Sequence, residues 1–447
     1  MPPWKSKARG WLAPNPATKV NKMKGYLQPG SLRRAPLAAG LVLAASAAEA
    51  HPSHWVASWS AAQQIVEPEN MIPPQDLRDS TLRQVVRVTV GGSAFRLMIS
   101  NAFGTEPLHL EAVHVARPAG AGAIDPATDR TVTFSGRSDV VIPAGASWLS
   151  DPVAAPVRPF SDIAVTIQYG EPPAVETGHP GSRVTSFLAP GDRVSDVRLA
   201  DPKTVDHWYQ LADVEVAAAP RARAVVVLGD SITDGRGSTT NGNDRWTDAL
   251  ARRLAPRGTA VLNAGLGGNR LLDDGKGPNV LARFDRDVLA QPGVAAVVVL
   301  EGINDIGTLT FEHPVLPAEH EQLVARMIAA YGQIAARAHA HGLKAYIGTI
   351  MPLIDNRYYH PDAANEADRA AVNAWIRGQR LFDGVIDFDA AMRDPIKPDR
   401  LNPAYDSGDG LHPGPQGYRV MGETAAAALL SAPNPMLHAH IRKRARK

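Results

Sequence analysis

The feature that most constrains the fold is a change of hydrophobic period near Pro220. Beyond it, continuous apolar runs alternate with helical patterns. Ala224-Val225-Val226-Val227-Leu228, Ala260-Val261-Leu262, residues 294–300, residues 345–350 and Val385-Ile386-Asp387-Phe388 read as strands. Residues 245–254, 281–290, 319–341, 367–382 and 416–430 read as helices, the longest with Leu323, Met327, Tyr331, Ile334 and Ala338 on one stripe. Strands that are apolar on both faces must be covered on both faces. The pattern therefore predicts an α/β class domain, a three-layer α/β/α arrangement around a parallel sheet. Ligands of such sheets bind beyond the carboxyl ends of the strands.

Before the change, residues 55–219 alternate with period two. Residues 85–90, 95–99, 108–115, 131–134, 163–169 and 184–188 read as strands, separated by Gly, Pro and Asp clusters. Many short strands with that punctuation predict a β-sandwich-like domain or jelly roll. A chain of 447 residues is long enough for two or three domains. The expected division is a leader at 1–50, a β-rich domain at 51–220, an α/β domain at 221–432 and a basic tail at 433–447.

The leader is expected from Ser31-Leu32-Arg33-Arg34, a short apolar run from 35 to 48, and small residues at Ala48 and Ala50 before His51. That order matches a secretory signal peptide, and the run is too short to anchor the chain in a bilayer. Residues 1–30 are unlike a normal leader start, so translation is expected to begin at either Met1 or Met23. The mature chain is expected to be exported, periplasmic or extracellular, with no stable membrane insertion. Cysteine is absent, which excludes disulfides, Cys-ligated metals and a cysteine nucleophile. Net charge is +2, but residues 1–50 hold eight Lys/Arg against Glu49 alone, and the terminal Arg442-Lys443-Arg444-Ala445-Arg446-Lys447 adds five more. The remaining body has 34 basic and 44 acidic groups, a balance of −10, which argues against nucleic acid as a partner.

Chemistry-bearing residues cluster where the sheet has its active edge. The first strand runs into Gly229-Asp230-Ser231-Ile232-Thr233, where Ser231 is either a nucleophile or a helix N-cap. The second runs into Asn263-Ala264-Gly265-Leu266-Gly267-Gly268, a loop able to present bare N–H groups or simply to bend. It lacks both nucleotide-binding glycine patterns. The third runs into Gly302-Ile303-Asn304-Asp305, where Asn304 can donate to an oxyanion or close an Asx-turn. Late in the chain, Asp409 and His412 stand three residues apart, so that the carboxylate can fix the imidazole tautomer. A structural histidine and a metal ligand are the other readings of His412, and no second histidine lies at ligand spacing near it.

Taken together and in this order, the blocks resemble the GDSL, or SGNH-hydrolase, superfamily, over about residues 224–430. The resemblance implies that Ser231 is the nucleophile, His412 the general base and Asp409 its orienting acid. It also implies an oxyanion hole made by the Ser231 and Gly268 backbone N–H groups and the Asn304 side chain, with no cofactor and no metal. Ile232 stands where the motif has Leu, and the G-x-S-x-G elbow of α/β-hydrolases is not met. Trp55-Val56-Ala57-Ser58-Trp59 and Arg96-Leu97-Met98-Ile99-Ser100-Asn101 are similar to the secreted esterase branch associated with xylan. That implies a serine esterase taking acetyl groups from carbohydrate. The other readings are a lipase or lysophospholipase with the same machinery, and a silent polysaccharide-binding protein in which Trp148, Trp208 or Tyr209 stack on sugars. A general-base histidine predicts activity that falls on the acid side of neutrality.

Overall fold

A computed structural model describes residues 54–431. The expected leader, its start at Met1 or Met23 and the basic tail lie outside the described residues.

The second half is built on five parallel strands, β1 (Arg223–Gly229), β2 (Thr259–Gly265), β3 (Val294–Leu300), β4 (Lys344–Gly348) and β5 (Gly384–Ile386), in the order β2-β1-β3-β4-β5. All neighbouring pairs are parallel, with Val226 of β1 between Leu262 of β2 and Val297 of β3. Val226, Val227 and Leu228 are fully buried, as the unbroken apolar run requires. Each such side chain contributes roughly 1.5–3 kcal/mol by leaving water.

Helices α1 (Ser231–Asp234), α2 (Trp246–Leu254), α3 (Val280–Phe284), α4 (Ile303–Leu309), α5 (Pro317–Ala340), α6 (Ala363–Gly378) and α7 (Pro415–Ser431) accompany the sheet. The stripe Leu323, Met327, Tyr331, Ile334 and Ala338 is the buried face of α5. Two helices differ from expectation. The segment expected at 281–290 is α for five residues and then a π-turn at Asp285–Leu289, closed by Ala290 N donating to Asp285 O at 2.9 Å. Helix α6 begins four residues before its expected start of 367, because Asp362 caps it by accepting from Ala364 N at 2.8 Å and Asn365 N at 3.1 Å.

The first half is β-rich and antiparallel. Trp55–Ser60 pairs with Leu211–Ala217, which pairs with Phe95–Ser100 and then Ser147–Leu149. A second sheet runs Lys203–Val205, Ser186–Pro190, Ser80–Arg87, Asp162–Tyr169, Leu108–Ala116 and Arg130–Thr131, with Val140–Ile142 also on Leu108–Ala116. Ser80–Arg87 and Ser186–Pro190 replace the expected 85–90 and 184–188. Of the expected 131–134 only Thr131 lies in a strand, Arg130–Thr131, because Phe134 N turns back to Arg137 O at 2.7 Å.

Both halves share one apolar core. Polar contacts also cross between them. Ala57 N donates to Pro292 O at 3.0 Å, Val261 N to Thr89 Oγ1 at 3.2 Å, and the Arg286 guanidinium to Gln63 O at 3.0 Å. The β-rich half is thus bound along the sheet that carries the chemistry.

Candidate active site

After β1 the chain leaves toward β2 on one side of the sheet, and β3 lies on the other. Their carboxyl ends flank the crevice where a doubly wound sheet takes ligands. Asp230 and Ser231 follow β1, and Asn304 follows β3.

Ser231 is the first residue of α1, and the N-cap is Asp230, whose carboxylate accepts from Ile232 N at 2.8 Å. The capping role open to Ser231 in the sequence therefore belongs to its neighbour, which leaves the hydroxyl free for another partner. That partner is His412, with Oγ and Nε2 2.8 Å apart. His412 Nδ1 lies 2.7 Å from Asp409 Oδ2. The other Asp409 oxygen accepts from Leu411 N at 3.0 Å and His412 N at 2.8 Å. Partial burial alone would raise the Asp409 pKa. The His412 ring and the two backbone N–H bonds outweigh it and hold the carboxyl well below the usual carboxylate range. A fixed carboxylate acceptor selects the tautomer with hydrogen on Nδ1, so Nε2 faces Ser231 as an acceptor.

Asn304 is buried and doubly held. Its Nδ2 donates to Asn269 O at 2.7 Å, and its Oδ1 accepts from the Tyr359 hydroxyl at 2.7 Å. These bonds span 35 and 55 residues, so the Asx-turn reading does not apply. An amide has two N–H donors, and one stays available beside the site. Asp305 clamps the loop after β2 by accepting from Leu271 N at 2.8 Å and Leu272 N at 3.0 Å. Burial pushes its carboxyl up to about 6, against those two bonds. Gly268 in that loop has φ 67°, a left-handed conformation that suits glycine. Among the described residues, neither the Ser231 nor the Gly268 amide N–H has an acceptor. Both residues, Asn304 and His412 line one cleft of about 900 Å³. All five residues singled out in the sequence, Ser231, Gly268, Asn304, Asp409 and His412, therefore border the same space.

Residues 227–420 match the model of the GDSL-like Lipase/Acylhydrolase family. The chain carries a GDSL-like acylhydrolase domain. That family assigns it to the hydrolases of ester bonds.

The GDSL-like domain is similar to several solved structures. One is a GDSL-like lipase from Bacteroides thetaiotaomicron, 20% identical, with a TM-score of 0.34 over 46% of this chain and 86% of that one. Another is an α/β hydrolase enzyme from the metagenome of Lake Arreo, Spain, 23% identical, TM-score 0.33, over 47% of this chain and 95% of that one. A third is the lipase/acylhydrolase from Enterococcus faecalis, 23% identical, TM-score 0.32, over 46% of this chain and 94% of that one. No curated protein matches the chain.

The cleft of the GDSL-like domain is not closed by that domain alone. Gln64, Glu67, Asn70, Arg183 and His207 of the β-rich half line it too. Asp234, on α1 with Ser231, is buried and lies 3.0 Å from His179 Nε2, which reaches it from the β-rich half. None of these contacts was singled out in the sequence, since each depends on how two halves pack. Tyr359 was missed as well: nothing in Asn356-Arg357-Tyr358-Tyr359-His360 marks a hydroxyl that orients an amide 55 residues away.

The aromatic residues suggested for sugar stacking need correction. Trp208 and Tyr209 are core residues, 6% and 1% exposed, and Trp208 packs edge-on to Trp59 at 4.9 Å. Trp148 is 38% exposed but does not line the cleft. The exposed aromatic pair at the cleft is Phe311 and Tyr358, stacked at 5.1 Å. A second cavity, about 560 Å³ and lined by Trp59, Arg87 and Trp208, contains neither Ser231 nor His412. It is set aside for the chemistry, which needs a nucleophile and a base. Among the described residues no cluster of three His, Asp or Glu side chains is grouped as a metal site, and no helix is long and apolar enough to cross a membrane.

Proposed function

We propose that the protein is an exported serine esterase that removes short acyl groups, acetyl above all, from carbohydrate alcohols. The observation that carries the reaction is the continuous relay from Ser231 Oγ through His412 to Asp409, with spacings of 2.8 and 2.7 Å. His412 Nε2 takes the hydroxyl proton as Oγ attacks the ester carbonyl carbon. The carbonyl oxygen becomes an oxyanion that accepts from the Ser231 and Gly268 N–H groups and from Asn304 Nδ2. The tetrahedral centre collapses, the C–O bond to the alcohol breaks, and His412 returns the proton to the leaving alkoxide. Water then attacks the acyl-enzyme with His412 again as base, releasing the acid and restoring the Ser231 hydroxyl. His412 acts in its neutral form, so turnover declines toward acid.

Two observations support a polar alcohol. The cleft wall carries Glu67, Arg183, Arg270 and Lys276 as well as the Ser231 and Asn304 side chains. The stacked Phe311 and Tyr358 at its mouth are 45% and 64% exposed, a surface that fits the apolar face of a sugar ring. The resemblance of residues 55–59 and 96–101 to xylan-associated esterases supports acetylated plant polysaccharide. The leader pattern before His51 supports export.

The test is hydrolysis of p-nitrophenyl acetate, butyrate and octanoate by the mature protein, beside Ser231→Ala. Turnover that falls with acyl length and vanishes in the variant is expected. Preference for octanoate moves the substrate to lipids. Equal turnover by Ser231→Ala removes the serine mechanism, and no turnover of any ester favours the silent binding protein.

A further inference from the structure

The charged groups at the cleft do not cancel. Its carboxylates are Asp409, bonded to His412 at 2.7 Å, Asp234, bonded to His179 at 3.0 Å, Glu67, paired with Lys276 at 3.5 Å, and Glu69. With the histidines neutral, these four face five cations, Lys276 and four arginines, a balance of +1. Four arginines line the same space, Arg183, Arg236, Arg270 and Arg357. Among the described residues none of the four pairs with a carboxylate, whereas most other arginines of the two halves do. The body of the chain carries more acid than base, so a cleft with unpaired guanidinium groups runs against its own background. Guanidinium groups on a concave wall that no carboxylate pairs focus their field on the space they enclose.

Arg183 is the most constrained of the four. Its φ is 51°, a left-handed conformation that a non-glycine residue adopts only under strain. The turn is held in place from the GDSL-like domain: Asn241 N donates to Arg183 O at 2.9 Å, and Asn241 Oδ1 accepts from Thr185 N at 2.9 Å. Arg183 Nε is buried and has no hydrogen-bond partner. The terminal N–H groups likewise have no partner among the described residues, and a carboxylate supplies the paired acceptors that the planar fork matches. This strained residue belongs to the β-rich half yet lines the space that holds Ser231.

We propose that the substrate ester carries a carboxylate, as in an acylated acidic sugar, and that Arg183 binds it while Arg236, Arg270 and Arg357 draw it into the cleft. The proposal rests on the esterase reading of this site and narrows its substrate class. The β-rich half then sets specificity, and the GDSL-like domain supplies the reaction.

The test uses 4-acetoxybenzoate and its methyl ester, which place the same acetyl group on an anionic and a neutral alcohol. The ratio of kcat/KM, anionic over neutral, is measured in the wild type, Arg183→Gln and Arg183→Gly. Glycine accepts the left-handed backbone, so this second variant removes the guanidinium without the strain. The expected wild-type ratio is at least about tenfold, shrinking as salt rises from ~0.05 to ~0.5 M because screening weakens the steering. Both variants are expected to lower the ratio severalfold, mainly through KM, leaving the salt-dependent part that Arg236, Arg270 and Arg357 supply. A wild-type ratio near one, or a ratio unchanged in both variants, overturns the proposal. Glucuronate, glycerol 3-phosphate and glucose are then compared as competitive inhibitors. Glucuronate is expected to inhibit most strongly, and stronger inhibition by glycerol 3-phosphate overturns the assignment to a carboxylate. Absence of turnover on both esters, or turnover that survives Ser231→Ala, contradicts the esterase reading instead, so the two failures are distinguishable.

Discussion

The Tyr359 hydroxyl donates to Asn304 Oδ1 at 2.7 Å, and both groups are buried. Burial raises the Tyr359 pKa well above its ordinary value, which keeps the phenol a donor. The contact fixes which end of the Asn304 amide faces the cleft, since an oxygen that accepts from Tyr359 leaves the NH₂ on the other side. Tyr359 is therefore a positioning residue. Tyr359→Phe is expected to lower kcat about tenfold, the worth of one lost hydrogen bond at about 1–1.5 kcal/mol, with KM nearly unchanged. Asn304→Ala, which removes the donor itself, is expected to lower kcat by about two to three orders of magnitude. Steady-state kinetics on p-nitrophenyl acetate checks both, and a wild-type kcat in Tyr359→Phe removes it from this role.

Asp409 is held as a carboxylate by His412 and two backbone N–H groups. In Asp409→Asn the side chain can no longer accept from the ring on equal terms, and the imidazole tautomer is free to reverse. A loss of about 10⁴ in kcat is expected, with the fold retained. Circular dichroism beside the rate measurement separates the two effects. An active Asp409→Asn enzyme would mean that the tautomer is set by another group.

Gly302 precedes Asn304 with φ 112°, and a Cβ there would lie 2.6 Å from both Met327 Cε and the Tyr331 hydroxyl. Gly302→Ala is predicted to destabilise the fold by roughly 1–3 kcal/mol through backbone strain alone, and to displace Asn304. Thermal unfolding and kcat should fall together. A variant with unchanged melting temperature would show that the turn relaxes without cost.

Asp213 is a buried carboxyl of the β-rich half, pushed up to about 7 by burial, against one bond from Gln291 Nε2 at 3.2 Å. Its folded pKa lies above its unfolded value, so the folded state binds the extra proton between about pH 4 and about 7. The stability that Asp213 contributes is fully present below that window and is lost as pH rises through about 7. Asp213→Asn is expected to flatten the decline of melting temperature over this interval. Parallel pH profiles of the two proteins would count against the assignment.

The parts of this molecule that were legible in the sequence are those whose physics is local. Continuous Val and Ala runs are found in strands buried on both faces, and β1 to β5 lie within a few residues of the expected segments. Ser231, Asn304, Asp409 and His412 stood out because each follows a strand or precedes a helix at the sheet's ligand-binding edge. Trp55–Ser60 and Leu211–Ala217 were not among the expected strands, since their pairing joins residues more than 150 positions apart. The same reason hid Tyr359, Arg183 and His179. A lone Tyr, Arg or His has no pattern of its own, and its role appears only when distant segments meet. The suggested Trp208 and Tyr209 failed because an aromatic residue on a strand fits a core as well as a ligand face.

The most direct test of the central claim is labelling with p-nitrophenyl diethyl phosphate, which phosphorylates an activated serine and cannot be cleared as an acetate is. One phosphoryl group on Ser231 is predicted, with esterase activity lost in step with labelling and both abolished in His412→Ala. A label on another residue, or full activity in protein labelled at Ser231, would contradict the Ser231–His412–Asp409 mechanism.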